Sequence, residues 1–242
     1  MTTHSFSHHS DLDSLVAAAR AEFCRVVEAK QAGGGDAYVV LTGGGAGIGL
    51  LRALRADSGA IDWQRVHVFF GDERFVPAAD GDRNALQARE ALLNHVDIPA
   101  AQIHEIAASD GEFGDDPDAA AAAYAAVIAD QAPEGYDIHL LGMGGEGHIN
   151  SIFPHTAEVA EGAPPVMAVR NCPKPPPTRV TLTLPEIHRA QHVWLLVAGQ
   201  EKAQAVRGIA GGLPARDLPA AGVQGQQSTI VFVDAAAASE LN

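Results

Sequence analysis

Short apolar runs that end in polar, glycine-rich segments constrain this chain more than any other feature. Residues 37–41 (AYVVL), 66–70 (VHVFF), 138–141 (IHLL) and 193–197 (VWLLV) are compact, predominantly apolar and rich in β-branched or bulky side chains. Runs of that length read as strands buried on both faces, as in a parallel sheet. Each enters an unusual segment: Thr42-Gly43-Gly44-Gly45, Gly71-Asp72-Glu73-Arg74, Gly142 to His148, and Ala198 to Lys202. In a parallel sheet all four segments leave one edge, outside the carboxyl ends of the strands, where open α/β sheets bind ligands.

Helical patterns fill the intervals. Leu12, Leu15, Val16, Ala19, Phe23, Val26 and Val27 recur at helical spacing, so residues 11–32 read as an amphipathic helix stopped by Gly33-Gly34-Gly35. Ile48, Leu51 and Leu54 place a helix after the first glycine segment, and further helices are expected near 82–96, over the Ala-rich 116–131, and from Lys202 through Val206. Val180 to Leu184 alternates as a strand, Pro185 opens a short helix, and Ile230 to Val233 is expected to close the sheet. Residues 161–178 hold six prolines, so Pro175-Pro176-Pro177 should be extended and solvent-facing. His4, His8 and His9 fall in a stretch that reads as a frayed tail. With no fixed repeat and no linker, residues 1–242 read as a single α/β domain: a Rossmann-like, mainly parallel sheet with helices on both faces.

Composition removes several classes of function. A formal charge of −14 with three lysines (Lys30, Lys174, Lys202) argues against nucleic-acid binding. No apolar run approaches the ~20 residues of a membrane span, and Met1 to Ser10 lacks the pattern of a signal peptide. Two cysteines, Cys24 and Cys172, make no disulfide framework, which fits a reducing cytoplasm.

The glycine segments carry the chemistry. Backbone N–H groups of Gly43, Gly44 and Gly45 can cradle an anion at a helix N-terminus. The segment is not a P-loop, because no Gly-Lys-Ser/Thr follows, and Ile48 occupies the third glycine position of a dinucleotide fingerprint. Gly142-x-Gly144-x-x-Gly147 does match that fingerprint, but Pro154 would interrupt the long helix it requires. A small phosphate ester therefore fits better than a nucleotide. His148 lies in this second glycine segment with Glu146 two residues earlier. A histidine there can take a proton from water at neutral pH, while a carboxylate on its other nitrogen fixes the tautomer. No HExxH or paired Cys/His spacing points to a metal. Arg74, Arg179 and Lys202 supply the positive charge for an anionic substrate, and Asp72 and Glu73 are placed either to orient Arg74 or, for Asp72, to act as a base.

These segments, together with Gly71 to Pro77, Gly142 to Pro154, Arg179 to Thr183 and Gly199 to Ala203, occur in order, and the chain resembles the 6-phosphogluconolactonases over Leu41 to about Leu241. It is more distantly similar to the glucosamine-6-phosphate deaminases, whose fold, related to that of ribose-5-phosphate isomerase, the resemblance implies here. It further implies hydrolysis of 6-phospho-D-glucono-1,5-lactone to 6-phospho-D-gluconate in the oxidative pentose phosphate pathway, without metal or cofactor. His148 would be the general base and Glu146 its partner, at a position where the family usually carries Asp. On the mechanism this suggests, Gly43 to Gly45 with Lys202 and Arg179 would hold the phosphate, with Asp72 among the substrate-binding residues, and Arg74 or a loop N–H would stabilise the oxyanion. The partner expected is the small sugar-phosphate lactone alone, with no nucleic acid or membrane, for a monomer or small homo-oligomer. The family's hydroxyl residues after Ser-Gly-Gly are Gly45 and Ala46 here, leaving backbone contacts to the phosphate. The deaminases need a Glu where this chain has Phe153, and usually carry Tyr in place of Arg74, although His148-Ile149 is deaminase-like. A deaminase-like sugar-phosphate enzyme and a non-catalytic sugar-phosphate binder are the alternatives.

Overall fold

A stretch with a single bulky apolar residue, Ser5–His9, forms the first strand, β1, in the computed structural model, which describes residues 4–241. β1 pairs in parallel with the last strand, Phe6 opposite Val231 and His8 opposite Val233. The expected tail is therefore a sheet edge, and the ring of His9 stacks on Phe232 at 6.1 Å. His4, just before it, is buried enough to lower its imidazole pKa despite a hydrogen bond with the Val223 backbone.

Helix α1 (Leu12–Ala32) follows, started by a capping box between Asp11 and Ser14. The chain then runs through β2 (Ala37–Leu41), α2 (Gly44–Ala56), β3 (Val66–Phe70), β4 (Asp72–Arg74), α3 (Asn84–Ala91), α4 (Pro117–Gln131) and β5 (Tyr136–Gly142). It finishes with β6 (Val166–Val169), β7 (Arg179–Leu182), α5 (Leu184–Ile187), β8 (Ala190–Val197), α6 (Ala203–Ala210) and β9 (Ser228–Asp234). Six strands form a wholly parallel sheet in the order β1-β9-β8-β5-β2-β3. Consecutive residues of β2, β5 and β8 are buried, so layers cover both faces of this sheet.

Three expectations need correction. β9 does not close the sheet; it lies between β8 and β1. The segment after β3 is no loop, and the strand after Thr178 does not join the parallel sheet. β4, β7 and β6 form a second, antiparallel sheet, with Asp72 opposite Thr181 and Met167 opposite Thr181 from the other side. Gly71 is the hinge between the two sheets: its N–H donates to Leu41 O at 3.1 Å, and its carbonyl accepts from Leu182 N at 2.8 Å. The helix expected over 82–96 is α3 followed by one 3-10 turn at Leu93–His95. α2 starts at Gly44, inside the glycine segment and ahead of the first apolar anchor Ile48. One apolar cluster includes Leu41, Phe70, Leu141 and Trp194 of the main sheet and Val166, Val180 and Leu182 of the second.

His139, in the middle of β5, has both ring nitrogens buried without a hydrogen-bond partner among the described residues. Burial, aided by nearby His188, pushes its pKa down to about 3. The folded state thus keeps it neutral, while the unfolded chain binds a proton near the usual 6.5. This group's contribution is therefore intact above about pH 6.5 and declines below it by about 1.4 kcal/mol per pH unit. His139→Leu should flatten the acid limb of stability by one proton's worth. Denaturant titrations of both proteins between pH 7 and 4 would read this directly.

Candidate active site

The amino end of α2 meets the carboxyl ends of β2, β5 and β8 around a cleft of about 190 Å³, a size for a phosphorylated monosaccharide rather than a dinucleotide. Gly43 is the N-cap of α2 and makes no side-chain cap, so the first-turn N–H groups have no side-chain acceptor there. A side chain at Gly43 would collide with the amide of Asn84, and Gly44 has φ +80°, which explains both glycines. Gly43 and Gly44 line the cleft; Gly45 faces the adjoining depression. Thr42 Oγ1 accepts from the N–H of Gly142 at 3.0 Å and ties the two glycine segments together.

In the second segment, Gly144 N donates to His148 O and Gly147 N to Gly144 O, making a tight return with no helix after it. The dinucleotide pattern is thereby excluded on geometry. The turn brings His148 back over Gly144, where any Cβ would strike its ring. His148 Nδ1 lies 3.0 Å from Glu146 Oε1, and the ring stacks on Phe153 at 4.6 Å. Lys174 Nζ lies 3.1 Å from Glu146 Oε2 and 3.4 Å from His148 Nδ1. Burial opposes ionisation of Glu146, but its own backbone N–H, Lys174 and His148 outweigh it and hold the carboxyl at about 2. An ionised Glu146 accepts a hydrogen bond from the Nδ1–H tautomer, which leaves the Nε2 lone pair as the basic site. Burial and then Lys174 depress the His148 pKa, while Glu146 and Asp72 counter them.

The Asp72–Arg74 strand does not work as the side chains alone suggest. Glu73 is fully buried and accepts from the backbone N–H groups of Arg74, Asn84 and Ala85, with Arg83 Nη2 3.6 Å away. It fixes the start of α3 and does not touch the Arg74 guanidinium. Arg74 Nη1 donates instead to Asp82 O at 2.7 Å and Asn84 Oδ1 at 2.6 Å, and its buried Nε has no partner among the described residues. Asp72 accepts from Ser151 Oγ at 2.5 Å and Asn84 Nδ2 at 3.0 Å, with Arg179 Nη1 at 3.9 Å.

Arg179 lines the cleft but also anchors the proline segment, donating to the carbonyls of Lys174, Pro175 and Pro176, each at 3.2 Å. Pro175 and Pro177 are exposed, but Pro176 is half-buried and the segment is bent rather than extended, with a cis Pro175–Pro176 peptide, so the expected extended, solvent-facing run is corrected. Lys202 lines the cleft together with Gly43 and Gly44, and its Nζ lies 3.6 Å from Glu201 Oε1. His148, Glu146, Arg74, Asp72, Arg179 and Lys202 therefore converge, and the amino end of α2 joins them. Lys174, Asn84, Asn150 and Ser151 were not foreseen. Only Lys174 left a trace, as a lone cation in an acidic chain held within a proline run. Among the described residues no three His, Cys, Asp or Glu side chains are grouped to hold a metal ion.

Comparison with known proteins gives the family and the fold. The family described as "Glucosamine-6-phosphate isomerases/6-phosphogluconolactonase" matches residues 10–232. A 6-phosphogluconolactonase of Mycobacterium tuberculosis is 54% identical over 236 residues, covering 96% of each chain. The crystal structure of 6-phosphogluconolactonase from Thermotoga maritima superposes with a TM-score of 0.84 at 26% identity, over 96% of this chain and 100% of that one. The Trypanosoma brucei 6-phosphogluconolactonase gives the same score and identity over 100% of both chains. With most of its length matched and its glycine segments, histidine and basic residues gathered at one sheet edge, the chain belongs to the glucosamine-6-phosphate isomerase/6-phosphogluconolactonase family.

Proposed function

We propose that this protein hydrolyses 6-phospho-D-glucono-1,5-lactone to 6-phospho-D-gluconate, the lactone-opening step of the oxidative pentose phosphate pathway. The observation that carries the reading is the His148–Glu146 pair, 3.0 Å apart, in a cleft that also holds Lys202 and the uncapped start of α2. The 6-phosphate rests on the backbone of Gly43 and Gly44 and on Lys202, with Arg179 adding charge from the opposite segment; Gly45, facing the adjoining depression, does not take part. That sets the lactone carbonyl near His148, whose Nε2 removes a proton from water as the oxygen attacks C1. Glu146 stabilises the imidazolium and holds the ring. Arg74 lines the same cleft, and its guanidinium, whose Nε has no partner among the described residues, stabilises the charge that develops on the carbonyl oxygen. Loss of such a donor typically costs roughly 3–4 kcal/mol of transition-state stabilisation. Water attacks directly, so no covalent intermediate is needed; as the tetrahedral carbon collapses, the bond from C1 to the ring oxygen breaks and the His148 imidazolium gives its proton to that oxygen.

The deaminase alternative is disfavoured by Phe153, which stacks on His148 where that chemistry needs a carboxylate. Among the described residues no helix is long and apolar enough to cross a membrane. The same reading places the protein in the cytoplasm, acting on its small substrate without nucleic acid or membrane partners, as a monomer or small homo-oligomer.

The test is acid release from the lactone generated in situ, measured above its spontaneous opening. A wild-type protein with no excess rate would overturn the reading. His148→Ala should lose about 10²–10⁴-fold of that excess. The rate should fall as pH drops through the His148 pKa, at a midpoint below the usual 6.5 because burial and Lys174 favour the neutral ring. Lys174→Ala removes a neighbouring cation and should move that midpoint upward; Glu146→Gln removes the opposing anion and should move it downward. Lys202→Ala should raise KM for the phosphorylated lactone by about tenfold or more, the worth of one charge-assisted hydrogen bond, and leave unphosphorylated gluconolactone unaffected.

A further inference from the structure

Asn150 stands two residues after His148, on left-handed backbone with φ 46°, and is 7% exposed. Its side chain lines the cleft, yet neither Oδ1 nor Nδ2 has a hydrogen-bond partner among the described residues. The carboxamide lies over Gly71, where an added Cβ would come within 2.5 Å of Oδ1 and 3.0 Å of Nδ2. Its neighbours are committed elsewhere: Ser151 Oγ donates to Asp72, and Ile149 bridges to Ile152. A buried amide with nothing to bind destabilises the free protein, and an apolar residue there would not. The fold gives no use for this amide, so its use lies in the ligand.

We infer that Asn150 is a specificity-determining residue whose carboxamide binds ring hydroxyls of the lactone, in the cleft beside His148. The chemistry of the group selects that part of the substrate. An amide offers an acceptor and a donor in one plane, and each hydroxyl of a sugar ring can answer either. A phosphate offers acceptors only and would leave Oδ1 unpaired against negative charge. The hydroxylated face of the ring, not its phosphate, is therefore what Asn150 reads, and it gives the site a means to reject lactones lacking that hydroxyl. Gly71 belongs to the same device, because only a residue without a side chain leaves the amide its place.

This inference rests on the lactonase reading, and the experiment separates the two. Wild type and Asn150→Gly are assayed on 6-phosphogluconolactone and on its monodeoxy analogues, each generated in situ from the corresponding deoxy sugar phosphate. Glycine suits the positive φ and removes only the amide, so the thermal midpoint should hold or rise. KM on the parent lactone should increase roughly tenfold, with kcat changed less. Wild type should lose a similar factor on one deoxy analogue, and Asn150→Gly should treat that analogue and the parent alike. Gly71→Ala, which keeps Asn150 but displaces it, should reproduce the KM effect should the first variant fold poorly. An unchanged KM in both variants, or equal losses on every analogue, overturns the role of Asn150 while wild-type turnover keeps the lactonase reading. No wild-type turnover on any lactone overturns both.

Discussion

Three segments far apart in the chain are tied by one buried carboxylate. Asp72, the first residue after the hinge glycine, accepts from Ser151 in the histidine segment and from Asn84 at the start of α3, and faces Arg179 of β7. A buried charge is tolerated only where donors and a counter-charge surround it, so these groups hold one another in place. Arg179 passes the constraint onward through three carbonyls to the proline segment, and that segment sets Lys174 against Glu146 and His148. The basicity of His148 thus depends on a chain of contacts that begins on another sheet.

The parallel sheet and its ligand edge were legible because they are written locally. Runs such as VVL and WLLV must be buried on both faces, and glycine directly after a strand marks a backbone that approaches something closely. What was not legible is written between distant residues. β4 is three residues long, and its strand character comes from pairing with β7 rather than from a pattern of its own; β7 alternates as a strand, but nothing within it says that it joins β4 and β6 instead of the parallel sheet. Ser5–His9 has a single bulky apolar residue and becomes a strand because β9 offers it an open edge. The cleft followed the same division. His148, Glu146 and Lys202 sit in segments with recognisable spacing, whereas Lys174 arrives only when Arg179 folds the prolines back. Asn150 resembles any loop asparagine until the emptiness around its amide is seen.

Charge shows the separation of global and local effects most plainly. The chain carries −14 overall, yet Lys174, Lys202, Arg74 and Arg179 all line one cleft. At physiological ionic strength, fields fade over roughly 8 Å, so an anionic ligand inside the cleft is governed by these four, by the opposing carboxylate of Asp72 and by the start of α2. The acidic remainder acts at longer range, on solubility and on large polyanions.

The order of strands has a consequence for synthesis. β9 is made last, yet it lies inside the sheet, between β8 and β1. As the chain leaves the ribosome, the earliest strand has no partner until nearly all the rest has emerged. An apolar strand left unpaired for so long would invite pairing with other nascent chains. Ser-Phe-Ser-His-His is a poor candidate for that error, with polar side chains on four of its five positions. The weak pattern that hid β1 from a reading by periodicity is the same property that lets it wait safely until β9 has been made.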